Sequence, residues 1–166
     1  AVRDKTKKSR SKVSSPVSEN TLPVIDKFVD IKGKESTVTI RIRTMSEEDL
    51  RIVTPMHNEA WGGNFDITHS EAEMMLDNNL GGQLVAFNEN EEIIASIWCV
   101  SLFARSINTI LGSLRAIMQT KRNRGQDNVW LHYAVATRKD YRDPKKGLGP
   151  FISTALLQST KPFTEG

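Results

Sequence analysis

Cysteine is nearly missing from this sequence: Cys99 alone is present among 166 residues. That excludes an internal disulfide framework and any zinc site built on a cysteine cluster. Cys99 stands in the apolar run Ile97-Trp98-Cys99-Val100, where a buried thiol is expected rather than a nucleophile. Long apolar stretches are missing too. No run approaches the roughly 18–20 residues of a spanning helix, and the charged start lacks the apolar core of a secretory signal. A cytoplasmic chain without a membrane partner is therefore expected. Histidine is scarce, and His57, His69 and His132 show no metal-ligand spacing. Neither a Gly-x-Ser-x-Gly elbow nor a Walker loop occurs, and no internal repeat is visible.

Positive charge is lopsided. The formal net charge is +3, yet residues 1–12 carry six basic side chains against Asp4 alone, leaving the rest of the chain at −2. The basic character belongs to the start, and does not mark the folded part as a nucleic-acid binder. Residues 1–36 read as a flexible basic, Ser-rich tail or linker. Only the patch from Val24 to Val29 has enough apolar character to dock on a domain.

Residues 37–166 read as one α/β domain. Thr37 to Arg43 alternates apolar and polar residues at the period of a half-buried strand. Ser46 precedes three acidic residues, as at a helix start, and Leu50, Val53, Met56 and Ala60 line one helical face, with Pro55 expected to kink it. Thr68 and Glu71 have capping-box spacing for a second helix. Gln83 to Phe87 and Ile93 to Leu102 read as strands joined by a polar turn, and residues 103–128 carry an apolar stripe at helical spacing. Val129 to Thr137 reads as a buried strand. A loop to Gly149 and a helix containing Phe151, Ile152, Ala155 and Leu156 follow.

The chemistry lies in that last unit. A helix start leaves backbone N–H groups without intrahelical partners, and with the helix dipole these make an anion site. Tyr141-Arg142-Asp143-Pro144-Lys145-Lys146-Gly147-Leu148-Gly149 places glycines and cations there, with Pro150 in the first turn, where its missing N–H matters least.

The order of strand, two helices, hairpin, strand, Gly-rich loop and helix resembles the GCN5-related N-acetyltransferase superfamily, from about Thr37 to Gln158. The resemblance implies a mixed sheet with flanking helices and an acyl-coenzyme A cofactor, acetyl-coenzyme A or another. Carried over, it places Ala136 and Thr137 beside the pantetheine arm and acyl end. Lys145, Lys146, Gly147, Leu148 and Gly149 become the phosphate cradle, with Arg142 adding charge. Pro144 stands where the family usually has Arg or Gln, as though Asp143-Pro144 were inserted. The family usually continues with a further strand and helix beyond the cofactor helix. Gly166 follows it closely here, so a fragment or shortened homologue is expected, with an open sheet edge that favours self-association.

Amine acylation needs a base, and His132 and Tyr133 are the titratable groups on the strand before the loop. Because adjacent strand residues face opposite ways, only one of the two is expected to reach an acyl group. Glu59, Trp61, Phe65, His57 and His69 would border the acceptor. The leading function is an acyl-coenzyme A-dependent N-acyltransferase with a small-molecule or peptide amine acceptor. The alternatives are a polyketide-loading type of acyltransferase or decarboxylase working with an acyl carrier protein, and a non-catalytic scaffold.

Overall fold

Ile40 and Ile42 alternate with Arg41 and Arg43, and the two pairs part to opposite faces of a strand. The isoleucines are fully buried, while the arginines take carboxylate partners: Arg41 is bonded to Asp26 and Arg43 to Asp49. The computed structural model describes residues 24–62, 66–79, 82–103 and 128–164. Five strands form one sheet in sequence order: β1 (Asp26–Lys32), β2 (Thr37–Thr44), β3 (Leu84–Phe87), β4 (Ile93–Phe103) and β5 (Asn128–Thr137). Every ladder among them is antiparallel. The expected strands and flanking helices are present, in an α+β arrangement. The helical stripe expected over 103–128 lies, from 104 to 127, outside the described residues.

Strand β1 changes the domain boundary. Asp26 to Lys32 was expected to be linker, yet all seven residues pair with β2. The reason is local and largely polar. Arg41 grips Asp26 with two bonds at 2.7 and 2.8 Å, the Thr39 hydroxyl donates to Asp30 at 2.7 Å, and Ile31 is the one residue of the strand buried in the core. Cross-strand pairs and a backbone ladder thus hold a segment whose composition looks like linker.

The sheet is covered on both faces. On one, helices α1 (Leu50–Trp61) and α2 (His69–Asn79) set Leu50, Val53, Met56, Ala72 and Met75 against Val85, Trp98 and Ala134. On the other, α3 (Gly149–Ser159) and the short α4 (Lys161–Thr164) bring Ile152, Ala155, Leu156 and Phe163 onto Ile31, Ile40, Leu84, Ala86 and Ile97. Leu84, Val85 and Ala86 fall into the two cores alternately, the period-two signature of a central strand.

Two helix starts are secured by side chains. The Asp49 carboxylate accepts from the Ser46 amide at 2.7 Å and from Arg43, fixing a 3-10 turn at Glu47–Asp49 that runs into α1. Thr68 and Glu71 exchange reciprocal bonds of 3.1 Å before α2, the expected capping box. Pro55 lies within α1, which continues through it to Trp61. Among the described residues, no helix is long and apolar enough to cross a membrane.

Because Ile31 is 4% exposed against the α3 core, Ile31→Ala is expected to cost about 2–4 kcal/mol. Urea unfolding of the full chain measures this; a loss under about 0.5 kcal/mol would return β1 to the status of a tail.

Candidate functional site

The site grows out of the hydrogen-bond pattern of β5. In an antiparallel ladder, alternate residues turn both backbone groups to the same side. The Arg138 amide donates to the Ile94 carbonyl on β4 at 2.7 Å. In step with it, Ala136 turns its backbone toward β4, while Val135 and Thr137 turn theirs away. No strand among the described residues pairs with that outer edge. The Val135 carbonyl is bonded instead to the Trp61 indole, whose Nε1–H donates at 3.0 Å.

Beside this edge lies a cleft of about 360 Å³, lined by Ala60, Trp61, Val135, Thr137, Arg142, Gly149, Pro150 and Ser153. Its walls are the last turn of α1 and the first turn of α3, with the β5 edge between them. The chain reaches α3 by a tightly organised loop. A 3-10 turn covers Lys139–Arg142. Next, the Asp143 carboxylate accepts from the Lys145 amide at 3.0 Å and the Asp143 carbonyl from the Lys146 amide at 3.1 Å. Asp143-Pro144, which looked like an insertion, is thus the body of a turn. The loop is also anchored at Tyr141, whose hydroxyl lies 3.3 Å from Asn88 Nδ2, and at Arg138, which is bonded to Asp140 at 2.7 and 2.9 Å. The Arg138 hydrogen bonds hold the Asp140 carboxyl below its ordinary pKa.

No side chain caps α3, and Pro150 sits in its first turn. Among the described residues, no backbone acceptor stands against the amides of Gly147 and Gly149. Gly147 has φ +63°, the left-handed region where a side chain is strained. The turn between β1 and β2 packs on this loop: the Lys34 amide donates to the Lys146 carbonyl at 3.0 Å, and the Lys34 stem lies over Gly147. The segment expected to be linker is a support of the loop.

Thr137, Arg142 and Gly149 line the cleft, whereas Lys145 and Lys146 stand exposed on the loop beyond it. Leu148 is buried, its side chain packed into the core that α3 covers rather than facing the cleft. Ala136 is 2% exposed and commits its backbone to β4. The edge positions are Val135 and Thr137, and sequence reasoning missed Val135 because it had not fixed which alternate residues face outward. Arg142 is not a free cation: its Nη2 lies 2.6 and 2.7 Å from the two Glu59 oxygens.

His132 and Tyr133 flank a break in the β4–β5 register. Trp98 pairs with Ala134 and Cys99 with His132, which leaves Tyr133 as an extra residue on β5. This bulge interrupts the strict alternation on which the choice between the two residues rested. Of the residues expected to border an acceptor, Trp61 lines the cleft and Glu59 bonds to Arg142, while His57 is buried in α1. His69 pairs with Glu73 on the exposed face of α2, and Phe65 lies outside the described residues. Cys99 is buried within β4, and desolvation pushes its thiol up to about 12.

Gly147→Ala is expected to destabilise the fold by about 1–2 kcal/mol, from the left-handed backbone, because a Cβ there would also meet the Lys34 stem at 2.7 Å. Denaturant unfolding checks this, and an unchanged midpoint would show that the loop relaxes freely. Cys99 should resist an aromatic disulfide reagent at pH 8 until the chain is unfolded, since its thiol stays protonated and buried.

No protein-family profile matches the chain, and no curated protein sequence matches it. Among solved structures it is similar to a protein of the yellow fever mosquito Aedes aegypti named as arylalkylamine N-acetyltransferase 7. The TM-score is 0.51 at 13% identity, over 86% of this chain and 70% of that one. At that identity the likeness is one of fold alone: the chain has an α/β fold similar to that of this N-acetyltransferase.

Proposed function

We propose that this protein is an acyl-coenzyme A-dependent N-acyltransferase acting on an amine. The supporting observation is the meeting, at one cleft, of an outward-facing strand edge and an uncapped helix start. An extended arm bearing amides fits the first, and a pyrophosphate fits the second. The amides of Gly147, Leu148 and Gly149 would hold the pyrophosphate, with Lys145, Lys146 and Arg142 supplying charge. Val135 and Thr137 would align the pantetheine arm by strand-like pairing. The bound cofactor supplies an activated thioester.

The chain's own task is to deliver a neutral amine to that thioester and manage two protons. His132 is the candidate base for the acceptor, since an imidazole is the side chain suited to exchange protons near neutrality. Tyr133, the bulged residue, is the candidate to return a proton to the departing thiolate. Backbone amides near the bulge would be the candidates to stabilise the developing oxyanion. Trp61, which lines the cleft, and Glu59, bonded to Arg142, would border the acceptor. Because the mosquito protein is named for arylalkylamines, an arylalkylamine is the first acceptor class to try.

Acetyl-coenzyme A at 100 times its Kd should stabilise the full chain by about 2.7 kcal/mol, read as a rise in melting temperature. Reversing both loop lysines, Lys145→Glu with Lys146→Glu, should abolish the rise while the protein stays folded. No shift at millimolar cofactor in the unmutated chain would remove the reading. His132→Gln should keep the shift but lower turnover with an arylalkylamine about 10²–10⁴-fold; undiminished turnover would move the base elsewhere.

A further inference from the structure

The last turn of α1 is tied to the β5 edge and to the loop that leads into α3. Trp61 donates to the Val135 carbonyl at 3.0 Å, and Glu59 accepts from Arg142 at 2.6 and 2.7 Å. Neither tie is explained by core packing. Trp61 is 48% exposed, and the Glu59 and Arg142 side chains are 48% and 36% exposed. The Val135 carbonyl belongs to the set of β5 backbone groups that an added strand would use. The indole N–H thus gives Val135 the hydrogen bond that an amide of an extended ligand would otherwise supply.

We infer that Trp61 is a displaceable latch on the β5 edge, holding the Val135 carbonyl until a ligand brings its own N–H donor there. This rests on the acyl-coenzyme A reading of the same cleft. A ligand that carries phosphates alone can use the loop amides, but offers Val135 nothing and leaves the indole in place. A ligand with an amide-bearing arm replaces one hydrogen bond by another, so the exchange leaves no buried carbonyl unmatched. Its anionic end meanwhile competes with Glu59 for Arg142, and an exposed ion pair of this kind resists such exchange weakly. The latch therefore bears on a ligand with an amide-bearing arm, which must displace the indole, and not on one that carries phosphates alone.

The test compares the full chain with Trp61→Phe, which keeps an aromatic ring and removes the N–H. Two probes are titrated by calorimetry: coenzyme A, and adenosine 3′,5′-bisphosphate, which has phosphates but no amide arm. Phenylalanine should tighten coenzyme A about twofold to tenfold, the worth of one hydrogen bond no longer displaced, and leave the bisphosphate unchanged. In the unmutated chain, the Trp61 indole N–H resonance, assigned by its loss in the variant, should move with coenzyme A and stay still with the bisphosphate. Equal coenzyme A affinity in both proteins, or a still indole signal at saturation, would overturn the latch and leave the function reading standing. Equal tightening of both probes would also overturn it, since the ring would then be mere obstruction. If coenzyme A binds neither protein, both inferences fall together.

Discussion

Backbone hydrogen bonding along one strand edge organises this molecule. Every N–H and C=O removed from water needs a partner, and among the described residues β5 finds strand partners on one side only, in β4. On its other side the Val135 carbonyl is met by a tryptophan reaching over from α1. The chain then turns through Asp143 and starts α3 with no side-chain cap. Unmatched backbone groups at the strand edge and the helix start lie around the same cleft. Sites of this kind recur where a rigid scaffold ends and a loop begins.

The loop is held from a direction the sequence does not advertise. Gly33 and Lys34, in the turn between β1 and β2, pack on Lys146, Gly147 and Leu148. Ile31 of the same hairpin joins the core that α3 covers. The first hairpin therefore stabilises the helix whose start faces the cleft. The lysines of the loop project from this frame, while the cleft proper is bounded by Arg142, Thr137 and the start of α3.

How much was legible in the sequence follows from which interactions are local. The β2 alternation, the Thr68–Glu71 box and the glycine-flanked start of α3 are contained in a few consecutive residues, and each stands where periodicity and capping rules put it. Strand β1 was not legible, because its own composition is polar and what holds it are partners on the next strand, Thr39 and Arg41, 9 and 15 positions away. The same holds for Val135 and Trp61, separated by 74 positions yet bonded. Outward or inward facing along β5 depends on the β4 register, which a one-residue bulge at Tyr133 resets. The Glu59–Arg142 pair joins residues 83 apart, so a motif reading saw only a loop cation.

The central claim is that the β5 edge and the loop before α3 act as one ligand surface. Amide hydrogen exchange of the full chain, with and without saturating acetyl-coenzyme A, addresses it most directly. The account predicts slowed exchange at Val135, Thr137, Gly147, Leu148 and Gly149 together, with the amides that already face β4 little changed. Protection confined to another region, or saturation that leaves those five amides exchanging as before, would contradict it.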